Sequence, residues 1–359
     1  CALHLSMLSD FFLKSFRILL LPVALIYWLI VFIRNWMYDK KILSAASFGL
    51  PVICIGNLSV GGTGKSPMVE YLLEHLKDQF KVATLSRGYK RKTSGYALAD
   101  ENSTALEIGD EPMQFHLKFP GIPVAVGEER VEAIPQLLHD RTDTQVIILD
   151  DAFQHRAIKA GLNILLTDYN QLFNRDFYLP NGDLRDLKSG YKIADIIVVT
   201  KCKPDLSIEE KNKIIAEIKP YPHQQIFFTA IQYGNPYHIF SKNITELKGK
   251  DVLLVSGIAN PGSLKKFLEA QSNYYETMLY PDHQIFTIDD WHDMKKRFER
   301  IDSKNKMILS TEKDAVRLMK FNIEIASMPF YIIPVQHRFL FEESNLFNGK
   351  IINFIRDFK

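Results

Sequence analysis

Cysteine is scarce in this sequence, and its scarcity excludes several classes of protein. The 359 residues include three cysteines, Cys1, Cys54 and Cys202. They are too few and too scattered for a disulfide framework or a cysteine-based zinc site. Cys54 lies inside an apolar segment, where a small buried core residue is the simplest interpretation. This usage agrees with a reducing compartment.

The sequence also lacks an excess of charge of either sign, and it lacks repeats. Its 44 Lys and Arg nearly balance 42 Asp and Glu, which leaves a formal net charge of +2. Global attraction to nucleic acid is therefore not predicted. Neither an internal repeat nor a low-complexity tract is present. The hydrophobic content of 47% is enough for a large core or two.

One long hydrophobic run stands apart from this balanced composition. Residues 18–33 read ILLLPVALIYWLIVFI without a charge. The run is shorter than the roughly 20 residues of a straight transmembrane helix, but Trp28, Trp36 and Tyr38 suit a membrane interface. No small-residue cleavage site of a signal peptide follows. The alternatives are a buried core helix and a membrane anchor within residues 1–40, spanning or interfacial. The uniform apolarity favours the anchor.

A glycine-bearing loop follows, between a predicted strand and a predicted helix. Residues 51–73 read PVICIGNLSVGGTGKSPMVEYLL, with a buried strand predicted at 52–55 and a helix opening at Lys65–Ser66. Glycines let the backbone approach a triphosphate and turn its N–H groups inward. The helix start adds the positive end of its dipole. Lys65 can reach the β- and γ-phosphates, and the Ser66 hydroxyl can bind Mg²⁺.

The match to the P-loop pattern is imperfect at one position. Ser59 stands where the standard pattern has its first glycine, so we expect the turn to depend on Gly61 and Gly62. An ordinary glycine-rich connection is the alternative, but Gly-Lys-Ser at the passage from strand to helix favours the P-loop. The predicted ATP- and phosphate-binding residues are Gly61, Gly62, Thr63, Gly64, Lys65 and Ser66.

A second motif of nucleotide-binding proteins lies downstream. Four apolar residues at 146–149 are followed by Asp150 and Asp151. This is the pattern of a Walker B strand, which lies parallel to the P-loop strand and aims a carboxylate at Mg²⁺. We therefore predict that Ser66 and Asp150 or Asp151 are the metal ligands, directly or through water.

Polar side chains near other strand ends are candidates for contact with a substrate. Basic residues beside a P-loop can bind anionic groups, whereas a solvated loop is the ordinary alternative. The substrate and anion candidates are Arg87, Glu111, Arg130, His155 and Arg185.

Three further polar positions have both a structural and a catalytic interpretation. Asp110 and Glu111 stand where a helix is predicted to begin, and acids there are often caps or dipole partners. His283 could equally be a satisfied surface histidine. Thr311 and Glu312 could simply open a helix with a cap. Local sequence alone does not decide between these interpretations.

The alternation of strands and helices predicts an α/β fold. Residues 41–224 are predicted to form a P-loop NTPase-type doubly wound parallel sheet, in which the carboxyl ends of the strands converge on one crevice. Residues 225–359 are predicted to form a second, smaller α/β domain with connecting strands. The membrane-anchoring helix of residues 1–40 precedes both domains.

Taken together, these motifs resemble the tetraacyldisaccharide 4′-kinases, the lipid A 4′-kinases of Gram-negative bacteria. The matching stretches occur in the family's order and read GNLSVGGTGKSP, SRGY, GDEP, VGEER, LDDAFQH, LPNGDLRD, PDH and TEKD. Two places depart from the family's pattern. Gln284 follows PDH where many members have a second histidine, and residues 184–187 read LRDL in place of an LREP-like segment.

The resemblance implies a membrane-associated kinase with two α/β/α domains and a cleft between them. It implies ATP and Mg²⁺ as cofactors, and transfer of the γ-phosphate to the 4′-hydroxyl of a tetraacylated glucosamine disaccharide 1-phosphate, forming lipid IVA in lipid A biosynthesis. The implied location is the bacterial inner membrane, with the catalytic domains facing the cytoplasm. No protein or nucleic-acid partner is expected.

The resemblance also implies catalytic roles. Asp110 would activate the sugar hydroxyl with His283 as its partner, and Lys65 would neutralise phosphate charge. Because Asp110 and His283 are far apart in sequence, we expect them to meet only when the two domains close.

Two other functions stay open from the residues alone. A nucleotide-dependent switch of the SIMIBI type with the deviant loop would have Lys before Gly-Gly, where Val60 stands, and no guanine-reading Asn-Lys-x-Asp occurs. A soluble small-molecule kinase would instead bury its N-terminal helix in its core.

Overall fold

The computed structural model describes residues 20–358. Residue contacts divide them into two compact units that are interleaved along the chain. The first unit contains residues 20–87, Gly127–Ala230 and residues 337–358, and the second contains Gly88–Val126 and Ile231–Gln336. The sequence instead predicts one linear division after residue 224, and that division into domains stays a prediction.

Helices and strands alternate through most of the described chain. The α-helices are α1 (Leu21–Asp39), α2 (Lys65–Leu76), α3 (Ala105–Ile108), α4 (Asp110–Lys118), α5 (Arg130–Asp140), α6 (Ile208–Ile218), α7 (Gly262–Gln271), α8 (Ile288–Arg300), α9 (Glu312–Leu318), α10 (Asn322–Ala326) and α11 (Ser344–Arg356). The strands are β1 (Val52–Asn57), β2 (Val82–Ser86), β3 (Ala97–Leu98), β4 (Val124–Val126), β5 (Val146–Asp150), β6 (Leu162–Asp168), β7 (Ile196–Thr200), β8 (Gln225–Tyr233), β9 (Tyr237–His238), β10 (Asp251–Ser256), β11 (Tyr274–Leu279), β12 (Lys306–Thr311), β13 (Phe330–Ile333) and β14 (Val335–Phe339). Short 3₁₀ turns lie at Lys188–Ile193 and Met319–Phe321.

The first unit is built on a parallel sheet. Its strands lie in the order β14-β8-β7-β6-β1-β5-β2, and β1 pairs in parallel with β5 on one side and with β6 on the other. All six residues of β1 are buried, as a strand requires when helices cover both faces of a parallel sheet. The predicted α/β class with a doubly wound parallel sheet is confirmed. The predicted parallel pairing of the Asp-Asp strand with the P-loop strand is also confirmed.

Helix α1 is held to the first unit by polar contacts while its apolar side is exposed. The Tyr27 hydroxyl donates to the Arg185 carbonyl at 2.8 Å, and the Asn35 amide donates to Asp186 at 2.7 Å. Leu25 is 60% exposed and Ile30 is 61% exposed. The alternative of a buried core helix is therefore wrong for the described residues. By length and composition α1 is apolar enough to cross a membrane. The first two residues of the predicted run at 18–33 lie outside the described residues.

The second unit has its own sheet and core. Its strands lie in the order β11-β10-β12-β13-β9, parallel except for β9, which pairs antiparallel with β13. Helix α8 buries Trp291, Met294 and Phe298, because its apolar side chains recur at helical spacing. Helix α4, from the inserted segment Gly88–Val126, packs against α9. That packing positions the polar residues described below.

Candidate active site

The glycine loop after β1 has the backbone of a phosphate-binding loop. Gly61 (φ +104°) and Gly64 (φ +86°) lie in the left-handed region, which costs little for glycine and is strained for other residues. Gly62 is not in that region, so the left-handed part of the turn is at Gly61, and the dependence on Gly62 stays a prediction. Gly64 precedes the first residue of α2, and no described side chain caps that helix. Its first N–H groups are therefore available to an anion.

The acidic residues predicted to face this loop follow the neighbouring strand. Asp150 ends β5 and lies in register beside Ile55 of β1. Its carboxylate accepts a hydrogen bond from the Ser86 hydroxyl at 3.3 Å. Asp151 comes next and has a left-handed backbone, with φ +50°. A non-glycine residue in that region is uncommon, and aspartate is one of the residue types that adopt it more readily.

Asp151 is the centre of a charged cluster at the phosphate loop. Lys65 Nζ lies 3.7 Å from its carboxylate, and the Arg185 guanidinium makes two contacts with it, one of 3.1 Å. Burial raises the pKa of Asp151, but Lys65 and Arg185 outweigh burial and leave it below its usual value. The Asn57 amide oxygen accepts from Lys65 at 3.4 Å and also from Arg185. Sequence reasoning missed Asn57, although it is the polar residue that ends β1.

The described residues fit a magnesium site of the kind that nucleotides complete. Ser66 in the first turn of α2, with Asp150 and Asp151 after β5, offers the oxygen ligands that Mg²⁺ prefers. Among residues 20–358, no group of three or more His, Cys, Asp or Glu side chains is arranged to hold a metal by itself. Mg²⁺ at the phosphate loop would therefore take its remaining ligands from the phosphates of a nucleotide and from water.

A second positive group in the first unit contains three of the predicted candidates. Arg130 is buried and donates to the Glu128 carbonyl at 2.9 Å, while its Nε has no hydrogen-bond partner among the described residues. Burial and the charge of Arg87 lower the pKa of Arg130. Burial and the charge of Arg130 lower the pKa of His155. Like charges held together in this way favour an anion as ligand.

The Asp110–His283 pair lies within the second unit. Asp110 is the first residue of α4, and His283 has a left-handed backbone, with φ +65°, after β11. The Nδ1 atom of His283 is 3.0 Å from Oδ2 of Asp110. The expectation that these residues meet only on domain closure is therefore wrong. The segment Gly88–Val126 belongs to the same compact unit as the PDH loop, which a linear division of the chain could not show.

Sequence reasoning missed the arginine that holds Asp110. Arg317 Nε donates to Asp110 Oδ1 at 2.8 Å, and its Nη2 contacts the other carboxylate oxygen. Burial raises the pKa of Asp110, but the hydrogen bonds from Arg317 and His283 lower it to about 2. Asp110 is thus ionised at neutral pH. One feature of the sequence does indicate Arg317. It lies four residues after Lys313 of the TEKD motif, a spacing that places both side chains on the same face of a helix.

Lys313 connects the histidine to two further acids. Its Nζ lies 3.3 Å from His283 Nε2, 3.2 Å from Asp282 and 3.6 Å from Glu111. Lysine and arginine only donate, and one of them lies beside each ring nitrogen of His283, with Arg317 Nη2 2.8 Å from Nδ1. The imidazole is therefore held between two cations and the Asp110 carboxylate.

A capped helix holds Lys313 and Arg317 in place. Thr311 caps α9 by accepting from the Asp314 N–H at 3.2 Å, which confirms the cap interpretation of Thr311. The Asp314 carboxylate accepts from the Gly257 N–H at 3.0 Å and from the Thr311 hydroxyl at 2.7 Å. The start of α9 is thereby fixed to the ends of β10 and β12.

A parallel sheet with a glycine loop, a lysine at the helix start and an acid-ended neighbouring strand defines the class of P-loop nucleotide-binding proteins. A family model described as tetraacyldisaccharide-1-P 4′-kinase matches residues 16–355. The chain belongs to the tetraacyldisaccharide 4′-kinase family, and it is a kinase.

Similar proteins support this assignment over almost the whole chain. A tetraacyldisaccharide 4′-kinase of Bacteroides thetaiotaomicron is 42% identical over 94% of this chain and 93% of its own length. One from Flavobacterium johnsoniae is 44% identical over 95% and 98%. The crystal structure of LpxK from Aquifex aeolicus in complex with ATP has 27% identity and a TM-score of 0.74, and the match covers 95% of this chain and 99% of that one. A nucleotide-dependent switch is therefore not the function.

Proposed function

We propose that this kinase transfers the γ-phosphate of ATP to the 4′-hydroxyl of a tetraacylated disaccharide 1-phosphate, forming lipid IVA. The main support for the proposal is the phosphate loop of this chain, where Lys65 lies beside Asp151. The chain belongs to the family that this reaction defines. The Aquifex aeolicus relative was solved in complex with ATP.

The phosphate loop supplies the charge and the N–H groups for ATP. The backbone of Gly61, Gly62, Thr63 and Gly64 surrounds the phosphates, and the first turn of α2 directs its N–H groups at them. Lys65 leaves Asp151 for the β- and γ-phosphates, where a cation in a dry site contributes most. Ser66 and Asp150 or Asp151 hold Mg²⁺, which neutralises phosphate charge when it is bound.

The pair in the second unit provides the base. The ionised carboxylate of Asp110 accepts the proton of the sugar hydroxyl as the oxygen attacks phosphorus. His283 orients that carboxylate through its Nδ1 atom, which lies 3.0 Å from it. A carboxylate held by a bidentate arginine is a weak base, so transfer requires part of this hydrogen bonding to be exchanged for contacts with the substrate.

The anionic groups of the substrate and of ATP have candidate partners in both units. In the first unit these are Arg87, Arg130 and Arg185, with His155 beside Arg130. In the second unit Glu111 forms an ion pair with Lys313 at 3.6 Å, and it is our candidate for contact with substrate hydroxyls. Arg130 and Arg185 each have a buried Nε, and His155 a buried Nε2, without a hydrogen-bond partner among the described residues, so all three suit an anion.

The exposed apolar side of α1 is the basis on which we propose a membrane location for the enzyme. We assign the helix to the inner surface of the bacterial inner membrane, with the catalytic units in the cytoplasm. An acylated substrate is confined to the bilayer, so tethering the enzyme raises its effective concentration. No protein partner is needed for this arrangement.

The test is transfer of ³²P from γ-³²P-ATP to purified tetraacyldisaccharide 1-phosphate in mixed micelles. We expect a labelled lipid product whose formation depends on Mg²⁺. Lys65→Ala should lose activity by on the order of a hundredfold or more while staying folded. Full activity of a folded Lys65→Ala protein would exclude the proposed role of the loop, and the absence of a labelled lipid with the wild type would exclude the substrate.

A further inference from the structure

A buried histidine near the C-terminus contacts the phosphate loop. His337 lies on β14, in the first unit, and is 5% exposed. Its Nε2 is 2.8 Å from the Gly64 carbonyl oxygen, and its Nδ1 is 2.9 Å from the Thr229 hydroxyl on β8. A carbonyl oxygen only accepts, so Nε2 carries the hydrogen and Nδ1 accepts from Thr229. Both ring nitrogens are therefore used, and the tautomer is fixed.

The environment of the ring keeps it in this neutral form. Burial, together with the positive charge of Lys201, lowers the pKa of His337 to about 4. The ring also explains why residue 64 is glycine. A Cβ at that position would lie 3.0 Å from His337 Cε1, and its φ of +86° disfavours other residues.

The preceding carbonyl of the loop is held in the same way from a different strand. The Thr200 hydroxyl, at the end of β7, has the Thr63 carbonyl as its nearer acceptor at 2.8 Å and the Thr167 carbonyl of β6 as a second one at 3.2 Å. Thr200 and Thr229 are fully buried, so neither hydroxyl exchanges its partner for bulk water. Two successive carbonyl oxygens of the phosphate loop thus each accept from a side chain of the sheet.

Holding these two oxygens also orients the N–H groups that matter for phosphate. A trans peptide is planar, with its C=O and the following N–H pointing in opposite directions. The carbonyl oxygens of Thr63 and Gly64 point toward the sheet strands, so the N–H groups of the next residues, Gly64 and Lys65, point to the opposite side. At the start of a helix such as α2, N–H groups directed to that side can bind an anion.

We propose that His337 and Thr200 are positioning residues for the phosphates of ATP. They act through the backbone of residues 63–65 and touch neither the acceptor nor the reacting atoms. The inference rests on the proposed placement of ATP in the phosphate loop. It gives the C-terminal strand β14 a part in nucleotide binding that no motif in the sequence indicates.

The test compares the KM for ATP with the KM for the lipid acceptor. His337→Leu removes the donor at similar volume, His337→Gln replaces it with an amide N–H, and Thr200→Val removes the second donor at constant shape. We expect His337→Leu and Thr200→Val each to raise the KM for ATP roughly tenfold, the value of one well-placed hydrogen bond, and to leave the acceptor KM unchanged. His337→Gln should recover part of the loss.

Ser310→Ala is the matched control for a purely structural effect. The Ser310 hydroxyl is also buried and also donates to a backbone carbonyl, that of Val255 at 2.9 Å, but in the second unit. It should lower the free energy of unfolding without changing the KM for ATP. If His337→Leu does not fold, Thr200→Val decides the question, because its shape is unchanged.

Two different failures can be separated with Lys65→Ala. If Lys65→Ala keeps the wild-type KM and turnover with ATP, the proposed placement of ATP fails. If Lys65→Ala loses activity while folded His337→Leu and Thr200→Val keep the wild-type KM for ATP, only the positioning role is overturned.

Discussion

The chemistry that we propose for the acceptor site depends on one carboxylate and the groups that contact it. Both carboxylate oxygens of Asp110 accept from Arg317, and one of them lies 3.0 Å from His283 Nδ1. Burial alone would raise the pKa of Asp110, and the two partners reverse that effect. Asp110 is therefore ionised at neutral pH and can accept a proton, but its lowered pKa also makes it a weaker base. Arg317 therefore controls the protonation of Asp110 without being part of a recognised motif.

Replacement of Arg317 should move the acid limb of the pH–rate profile. Protonated Asp110 cannot accept a proton, so activity falls as pH drops through its pKa. With that pKa at about 2, Asp110 causes no loss in the wild type above about pH 4. In the Arg317→Met variant the guanidinium no longer opposes the effect of burial, so the pKa of Asp110 should rise. The acid limb should then move to higher pH by about 1–3 units. The measurement is kcat against pH at saturating substrates.

Arg317→Lys and Arg297→Met serve as the comparison variants. Lysine keeps the charge but loses the bidentate contact, so its shift should be smaller. Arg297 pairs with Glu276 at the exposed surface at 3.3 Å, and its loss should leave the profile unchanged. An unshifted limb in folded Arg317→Met would contradict the role of Asp110 as base.

At the scale of elements, α1 combines polar attachment with an apolar exposed side. Asp39 near its end pairs with Arg156 and Lys192, each at 2.7 Å, so the helix docks on its own unit without burying its leucines and isoleucines. This arrangement is stable in water only at a cost, because apolar surface is left exposed. A bilayer removes that cost.

Three substitutions on the exposed side of α1 should separate membrane binding from catalysis. We expect Leu25→Gln, Ile26→Gln and Ile30→Gln together to release the enzyme from vesicles and to lower turnover of micellar lipid, with little change in the KM for ATP. The polar contacts of Tyr27 and Asn35 stay intact in this variant. Sedimentation with vesicles and the two kinetic constants are the measurements.

The matched control changes three isoleucines that are equally exposed elsewhere. Ile208, Ile244 and Ile323 are 68%, 72% and 83% exposed, and their replacement by glutamine should leave vesicle binding unaltered. Equal release by both triple variants would mean that general hydrophobicity, rather than α1, holds the enzyme at the membrane.

Strands were the most predictable elements, for a physical reason. The strands predicted at 52–55 and 146–149 lie within β1 (Val52–Asn57) and β5 (Val146–Asp150), because buried parallel strands read as short apolar runs between polar breaks. Strand β14 and helix α11 were not predicted. Strand β14 reads VQHRF, where the apolar run is interrupted by polar residues, and its buried histidine is satisfied only by partners far away in sequence.

The phosphate loop was predictable as a motif, but the contacts of its charged residues were not. The Gly-Lys-Ser pattern and the Asp-Asp strand end are local signals, and both lie where expected. The meeting of Asp110 with His283 and Arg317 depends on the topology of the second unit, in which the segment Gly88–Val126 joins residues from the other end of the chain. The spacing of these residues along the sequence does not indicate that they are in contact.

At the scale of the whole molecule, each compact unit has its own sheet and its own set of charged residues. The residues proposed for ATP lie in the first unit, and the proposed base lies in the second. The chain passes from one unit to the other after Arg87, Val126, Ala230 and Gln336. Nucleotide binding should therefore stabilise one identifiable part of the chain first.

ATP should protect the first unit against unfolding through the phosphate loop. A ligand that binds the folded state alone adds about 2.7 kcal/mol when it is present at roughly 100 times its Kd. We expect thermal unfolding to shift upward with Mg²⁺-ATP, and amide hydrogen exchange to slow most in β1, α2 and β5, where the loop is anchored. Lys65→Ala should abolish both effects, and Arg297→Met should change neither. Slower exchange confined to β10, β12 and β13 would place the nucleotide in the second unit and contradict the assignment, because those strands contain no part of the loop.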